Sequence, residues 1–203
     1  MHTLVPFDAR QPKTRLADLL DREERIEFAH AMLQDVLDVI VAAGGEPEVL
    51  STTPIDCVHD VTVDERSLSD AVNGVLDGRS LPIAIVMADL GLLTPSAFEK
   101  LLEPSADVVI APGLGGGTNA LVVRHPEFCV DYHGISVRDH YQRAQECDAT
   151  VATVDSFRLA VDVDTVSDIT EILIHGEGRA YEWLRETGIR LATEEARPDI
   201  VRE

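Results

Sequence analysis

The chain has 203 residues, 45% of them hydrophobic, which suffices for a sizeable core and suggests one domain spanning residues 1–203. Its formal net charge of −20 at pH 7 would repel nucleic acid and anionic membranes over most of the surface, so we expect neither as a partner. The longest apolar runs, such as "PIAIVMA", are too short to span a bilayer, and "MHTLVPF" does not resemble a signal peptide.

The 37 acidic residues are spread along the whole chain, whereas only two of the 17 basic residues are lysine. This composition is typical of a surface adapted to molar salt, which screens the self-repulsion. The three cysteines lack metal-ligand or CxxC spacing. We therefore predict free thiols in the reducing cytoplasm of a halophile.

The predicted elements of the first half alternate between strand and helix. "HTLVPF" is a short strand, and a loop follows it. Asp21, with Glu24 three residues later, forms a capping box for a helix whose apolar positions run from Ile26 to Ile40 and which ends at Gly44. Next come a strand "PEVLST", a helix "SLSDAVNGVLDG" and a buried strand "PIAIVMADL".

The second half continues the alternation. Thr94 caps a helix that has Pro95 at its first position. "ADVVIAP" is a strand, and "GLGGGTNALVV" is a glycine loop running into another strand. "SVRDHYQRAQEC" is a helix capped by Ser136, "LAVDVDT" is a last strand, and "VSDITEILIHG" and "GRAYEWLRETG" are helices. The order predicts an α/β fold with a mostly parallel sheet, whose ligands bind where strands end.

The loop after the first strand carries Lys13 and Arg15, directly after Pro12. A lysine point charge and a planar arginine fork at the end of a strand can clamp a polyphosphate. The alternative is that both are ordinary solvated charges. On an exposed loop, we expect such a clamp to contribute little to stability.

Three aspartates follow predicted strands. Asp89 ends the apolar run "PIAIVMADL", where a phosphate-bound Mg²⁺ would need a hard oxygen ligand, although it could instead cap a turn. Asp162 and Asp164 are two residues apart, so in a strand both would face the same side. Two carboxylates on one face repel each other unless a cation lies between them, which makes a metal plausible beside the alternative of solvated charges.

The glycine-rich stretch from Gly113 to Gly117 lets backbone amides approach an anion, but a flexible hairpin would look the same. Thr118 and Asn119 could add side-chain hydrogen bonds. A lone histidine such as His140 is more often solvated or part of a core than catalytic. Walker, nucleophile-elbow, HExxH and CxxC motifs are absent from the sequence. What remains are the parts used in phosphoryl or nucleotidyl transfer.

In order along the chain, "VPFDARQPKTRLADLLDREERIEFAHAMLQDVL", "ADLGLLTP", "GGGTNAL", "YHGISVRDH" and "DVDTVSDI" resemble the 2-phospho-L-lactate guanylyltransferases of deazaflavin-coenzyme biosynthesis. Gly91 and His133 stand where that family usually has proline and glycine. The resemblance covers nearly the whole chain. It implies a Rossmann-like nucleotidyltransferase fold of the nucleotide-sugar type and, for small enzymes of this type, a homodimer.

The resemblance also implies roles for individual residues. Lys13 and Arg15 would hold the triphosphate of GTP, with Lys13, Arg15 and Asp89 as the catalytic set. Asp89, Asp162 and Asp164 would hold Mg²⁺. Thr52, Asp70 and Asn73 would lie near the guanosine, and Gly117, Thr118 and Ser136 would bind the acceptor, a small phosphorylated carboxylic acid.

The reaction implied is transfer of GMP from GTP to the phosphate of 2-phospholactate, with release of pyrophosphate. Two alternatives stay open. Phosphoenolpyruvate presents its phosphate and carboxylate in almost the same way, and a nucleotide-binding regulator without turnover is a different class of function. Three candidate metal carboxylates argue against the regulator, which would not need them.

Overall fold

The computed structural model describes residues 1–192 and 199–202. A seven-stranded sheet runs through the centre in the order β3-β2-β1-β4-β6-β5-β7, and a separate pair, β8-β9, lies apart from it. The strands are β1 His2–Phe7, β2 Glu46–Ser51, β3 Asp60–Val63, β4 Ile83–Val86, β5 Val108–Pro112, β6 Thr118–Val123, β7 Val151–Thr153, β8 Ile189–Ala192 and β9 Asp199–Arg202.

One strand of the central sheet runs against the others. β6 pairs antiparallel with both β4 and β5, while the remaining neighbours pair in parallel. The first residue of β6, Thr118, therefore lies at the edge where β4 and β5 end. The glycine loop is the tight connection that allows this reversal, with Gly116 at φ 84°.

Helices cover both faces of the sheet. They are α1 Arg22–Ala42, α2 Leu68–Gly78, α3 Pro95–Leu102, α4 Ser136–Glu146, α5 Phe157–Ala160, α6 Val166–His175 and α7 Arg179–Glu186. On one face, α1 and α3 pack their apolar residues against one set of alternate strand residues, including Val5, Val86 and Val122. On the other face, α2 and α4 cover the intervening residues, including Leu4 and Leu121. This alternation is the period-two pattern of a sheet buried on both sides.

A third apolar cluster holds the last part of the described chain in place. Phe28 and Met32 of α1 pack with Ile169 and Ile172 of α6, and with residues of α7 and β8. The α6–α7 pair therefore lies against the flank of α1. This contact brings the segment between α5 and α6, which contains Asp162 and Asp164, back towards the sheet.

Most of the predicted elements are confirmed. The Asp21–Glu24 capping box is present, and Thr94 caps α3 with Pro95 in its first turn. Strands β3, β7, β8 and β9 are not predicted, because none of them lies in a long continuous apolar run like the one that identifies the equally short β4. No helix in the described part of the chain is long and apolar enough to cross a membrane.

Two predictions about local structure are wrong. "LAVDVDT" is not a strand: its first two residues end α5, and residues 161–165 form an irregular segment leading into α6. The alternating pattern there arises because Val161 and Val163 are buried in the third cluster, without any neighbouring strand. Ser136 is not the cap of α4 but its first helical residue, and its hydroxyl is used elsewhere.

Candidate functional site

A cavity of about 410 Å³ opens where β1, β2 and β4 end. This volume lies in the range of small-ligand sites, and the position is the usual ligand edge of such a sheet. One wall is apolar and the other end is charged. The lining residues are Pro6, Phe7, Asp8, Gln11, Pro12, Lys13, Ala29, Met32, Leu50, Thr52, Asp64, Arg66, Leu68, Ala71, Met87, Ala88, Asp89 and Asp164.

Lys13 is the centre of the charged end. Its Nζ donates to Oδ2 of Asp89 at 2.6 Å and to Oδ1 of Asp164 at 2.9 Å. Only 9% of the Lys13 side chain is exposed, so the expectation of a clamp on an exposed loop is wrong for this residue. Arg15 does fit that expectation, because its side chain is 73% exposed and reaches Asp164 at 3.4 Å.

The local backbone explains why Lys13 turns inwards. Pro12, which follows the loop after β1, is buried. Lys13 then adopts a left-handed conformation, with φ 54° and ψ 43°, immediately before a short 3₁₀ helix at Thr14–Leu16. That conformation is uncommon for a residue with a side chain and is often found at functional sites. Leu16 is buried in the third cluster and anchors the turn.

Burial and the neighbouring charges shift the pKa values of Lys13 and Asp162 at this end of the cavity. Burial would lower the pKa of the Lys13 ammonium, but the Asp89 and Asp164 carboxylates more than offset this, and the pKa is raised. Lys13 is thus a permanent cation at neutral pH. Burial also raises the pKa of the Asp162 carboxyl, and the charges of Asp89 and Asp164 act in the same direction.

Asp162 and Asp164 do not act as a same-face pair, because they do not lie in a strand. Asp164 contacts Lys13 and Arg15, whereas Oδ1 of Asp162 accepts from Nδ2 of Asn119 at 3.1 Å. The same Asn119 amide also donates to the carbonyl of Leu159. Asn119 therefore fixes the end of α5 and the orientation of Asp162 together.

The donor set fits a hard divalent cation. Oδ1 of Asp89 is buried without a hydrogen-bond partner, and two more carboxylates lie within electrostatic range. Among the residues described, no group of three or more His, Cys, Asp or Glu side chains is already arranged around a metal position. Mg²⁺ does not require one, because it usually takes one or two carboxylates and completes its shell with water and substrate phosphates.

The three residues predicted near the guanosine lie in different places. Thr52 lines the cavity, where its Oγ1 accepts from the amide of Ala9 and donates to Asp8. Asp70 accepts from Ser67 at the start of α2, and the amide of Asn73 is paired with the backbone of Val130 in both directions. Asp70 and Asn73 are not among the cavity residues. The same holds for the other predicted site residues Arg15, Gly117, Thr118, Ser136 and Asp162. The roles of all of these residues stay predictions.

The residues predicted to bind the acceptor lie together at the start of β6. Thr118 and Ser136 are buried, with their hydroxyl oxygens 3.5 Å apart. Gly117 directly precedes Thr118, and the amide of Val137 in α4 donates to the carbonyl of Gly116. The amide of Met87, which lines the cavity, donates to the carbonyl of Asn119, so this group lies beside the end of β4.

Sequence reasoning did not identify several polar residues of the site. Asp8, Gln11, Asp64 and Arg66 line the cavity, and Arg66 pairs with Asp64 through Nε and Nη2. Asp64 directly follows β3, but this strand is partly exposed and lacks the continuous apolar run that identifies β4. For His140, the predicted alternative of a core position is confirmed, since the ring is fully buried, but its hydrogen bond to Thr118 was not predicted.

Comparison with known proteins identifies the family of the chain. A family model described as "Guanylyl transferase CofC like" matches residues 1–202. A protein of Haloferax volcanii named 2-phospho-L-lactate guanylyltransferase is 56% identical over 204 residues, covering 100% of this chain and 99% of the relative. Relatives between 47% and 56% identical come from haloarchaea, as the acidic composition predicted.

Solved structures show the same fold at low identity. A candidate nucleotide-diphospho-sugar transferase from Desulfovibrio desulfuricans G20 superposes with a TM-score of 0.73 and 16% identity, covering 92% of this chain and 94% of that one. The Rv0371c protein of Mycobacterium tuberculosis H37Rv, solved in complex with manganese, has a TM-score of 0.52 at 17% identity, with 85% and 97% covered. The predicted Rossmann-like nucleotidyltransferase fold is confirmed. Because the family model matches almost the whole chain, the chain belongs to the CofC-like guanylyl transferases.

Proposed function

We propose that the protein transfers GMP from GTP to the phosphate of (2S)-2-phospholactate and releases pyrophosphate, in the biosynthesis of a deazaflavin coenzyme that carries hydride. The observation that carries the proposal is the Lys13–Asp89–Asp164 cluster at the charged end of a ligand-sized cavity. The carboxylates outnumber the Lys13 ammonium, so the cluster would attract a divalent cation. Lys13 together with that cation would neutralise the charge of a polyphosphate without a covalent intermediate.

The chemistry requires little from the side chains beyond positioning and charge. A phosphate oxygen of the acceptor forms a new bond to the α-phosphorus of GTP, while the bond from that phosphorus to the bridging oxygen of the β-phosphate breaks. Pyrophosphate leaves with the bonding electron pair. The attacking oxygen is already ionised near neutral pH, so no general base is needed.

Each part of the site has a proposed task. Lys13 and Arg15 contact the triphosphate and stabilise the charge that develops on the leaving pyrophosphate. Asp89, Asp162 and Asp164 would hold Mg²⁺, which supplies Lewis-acid neutralisation of the phosphates when bound. Thr52, Asp70 and Asn73 stay proposed for the guanosine side, and Gly117, Thr118 and Ser136 for the acceptor.

Release of pyrophosphate tests the proposal. Purified protein in molar KCl with Mg²⁺ is given GTP together with (2S)-2-phospholactate, phosphoenolpyruvate or no acceptor. We expect release that depends on the acceptor and is fastest with phospholactate. Faster release with phosphoenolpyruvate would reassign the acceptor. GTP binding without release in any mixture would make the protein a nucleotide-binding regulator.

A matched pair of variants connects turnover to the site. Asp89→Asn should abolish most release, because a neutral amide is a poor ligand for a hard cation. Asp77→Asn removes the same charge from an exposed position on α2 and should leave release unchanged. Equal activity in the two variants would remove Asp89 from the proposed site.

We also propose that the protein is a cytoplasmic homodimer. Symmetric dimers are the commonest soluble oligomers, and the three cysteines are all unpaired, as expected in a reducing compartment. Sedimentation in molar salt should give about twice the chain mass of 22.2 kDa. A species of the single-chain mass alone would overturn the dimer.

A further inference from the structure

His140 forms a buried hydrogen-bonded chain that ends at the hydroxyl of Thr118. The ring is 0% exposed and lies between the rings of Tyr132 and Phe128, whose centroids are 4.9 and 6.1 Å away. Its Nε2 is 3.0 Å from the backbone nitrogen of Asp131, and its Nδ1 is 2.8 Å from Oγ1 of Thr118. Both ring nitrogens are therefore occupied by specific partners.

The partner of Nε2 determines the tautomer. A backbone N–H can only donate, so Nε2 must accept from Asp131 and carry no proton. A neutral ring then carries its proton on Nδ1, which makes Nδ1–H a donor to Thr118. Burial lowers the pKa of the His140 imidazole to about 4, so the ring is neutral at working pH.

The direction of that bond determines what Thr118 can offer a ligand. Oγ1 accepts from His140, so the hydroxyl hydrogen of Thr118 must point elsewhere. Its neighbour Ser136 is 3.5 Å away, a long distance for a hydrogen bond between hydroxyls. Thr118 is thus oriented as a donor, which suits an oxygen of a phosphate or carboxylate and not a donor group on a substrate.

We infer that His140 is a positioning residue for the acceptor anion, acting through Thr118 by holding its hydroxyl as a hydrogen-bond donor. The inference rests on the proposed function, since that function places the acceptor at Thr118 and Ser136. His140 itself does not touch the substrate and takes no proton from it.

Two substitutions separate this role from a structural one. His140→Asn keeps an amide N–H near the position of Nδ1 and loses the acceptor for Asp131. His140→Gln keeps an oxygen near the position of Nε2 and loses the donor to Thr118. We expect His140→Gln to raise the KM for the acceptor about tenfold with the KM for GTP unchanged, and His140→Asn to stay near the parent. The variants are matched because each removes one of the two bonds.

A larger rise of the acceptor KM in His140→Asn than in His140→Gln would overturn the inference. That result is expected if His140 has a purely structural role, in which its bond to the amide of Asp131 is the important one. Equal effects of both variants would overturn it as well. Thr118→Val completes a double-mutant cycle. Once the hydroxyl is gone, adding His140→Gln should cause no further loss of acceptor affinity. An additive loss would mean that His140 acts by another route.

Two measurements need no turnover. Nitrogen NMR of the imidazole should show the Nδ1-protonated tautomer, and finding the proton on Nε2 would overturn the inference. The dissociation constant of phosphoenolpyruvate, measured by calorimetry, should rise in His140→Gln and not in His140→Asn. If the unmodified protein never releases pyrophosphate, the proposed function is overturned. The comparison of phosphoenolpyruvate binding then still tests the role of His140, because it does not depend on turnover.

Discussion

Replacing Lys13 by methionine removes the positive charge from the ion-pair cluster of Lys13, Asp89 and Asp164 while nearly keeping the shape of the side chain. Asp89 loses its ion-pair partner at 2.6 Å, and Asp164 loses Lys13 at 2.9 Å and keeps only the exposed Arg15 at 3.4 Å. We expect the folded protein to lose stability even without ligand, because the remaining carboxylates repel each other.

The magnitude follows from the distances and the exposure. A unit-charge pair at 4 Å is worth about 4 kcal/mol at the effective dielectric constant typical near a protein surface, and removing one partner of a buried pair usually destabilises by about 3–5 kcal/mol. Asp89 and Asp164 are 26% and 39% exposed, so water can solvate part of the charge that is left. We therefore expect Lys13→Met to lower the free energy of unfolding by about 2–3 kcal/mol, or the melting temperature by about 4–12 °C.

Thermal unfolding of ligand-free protein in molar KCl measures this change. The control is Lys13→Met combined with Asp164→Asn, which also removes the negative charge of one of the two carboxylates that Lys13 contacts. The double variant should be more stable than Lys13→Met alone. An unchanged melting temperature in Lys13→Met, or a double variant less stable than the single one, would refute the argument that Lys13 neutralises the cluster.

Other outcomes follow from the same geometry. Lys13→Met should also reduce kcat/KM at least about 30-fold, the loss expected for a charge-assisted contact of about 2 kcal/mol, as measured by pyrophosphate release. Arg15→Lys keeps the charge but loses the planar fork, so we expect a clear fall in activity. The melting temperature should not change, since Arg15 is exposed. A lowered melting temperature with full activity would mean that Arg15 has a structural role. Burial lowers the pKa of His140 to about 4 from the ordinary value of 6.5. Below pH 6.5 the unfolded chain takes up a proton on this ring and the folded chain does not. The free energy of unfolding should therefore fall by about 3 kcal/mol in total as the pH is lowered from 6.5 to 4. The stability difference between the parent and His140→Asn should shrink over that interval, and a difference independent of pH would contradict this assignment.

The sequence predicts the fold well because long periodic segments dominate it. The capping box at Asp21, the apolar stripe of α1 and the buried strand β4 are local signals that tertiary packing did not override. The error at Asp162 and Asp164 has a physical cause. Alternate burial of Val161 and Val163 imitates a half-buried strand, but here it comes from packing against α6 and α7.

The arrangement of the candidate site residues is only partly predictable from the sequence. Lys13 and Asp89 come together because β1 and β4 end at the same edge of the sheet, and packing of α6 on α1 brings the segment with Asp164 to them. The burial of Lys13 could not be predicted, because its inward direction depends on a left-handed backbone conformation that the sequence does not specify. The alternative of a core position for His140 is confirmed. Its bond to Thr118 could not be predicted, because it forms only when α4 docks on β6, which is a long-range contact.

The ion pairs of Lys13 also bear on how the chain folds. Lys13 is separated from Asp89 by 76 residues and from Asp164 by 151 residues, so the cluster closes two long loops. Closing a long loop costs conformational entropy, so we expect such contacts to form late, after the nearby strands have paired. A folding intermediate with β1 to β4 in place would contain Lys13 and Asp89 but would lack the second carboxylate until α6 docks on α1. Recovery of the complete cluster during refolding should therefore lag behind the recovery of secondary structure, which makes nucleotide affinity a late marker of native topology.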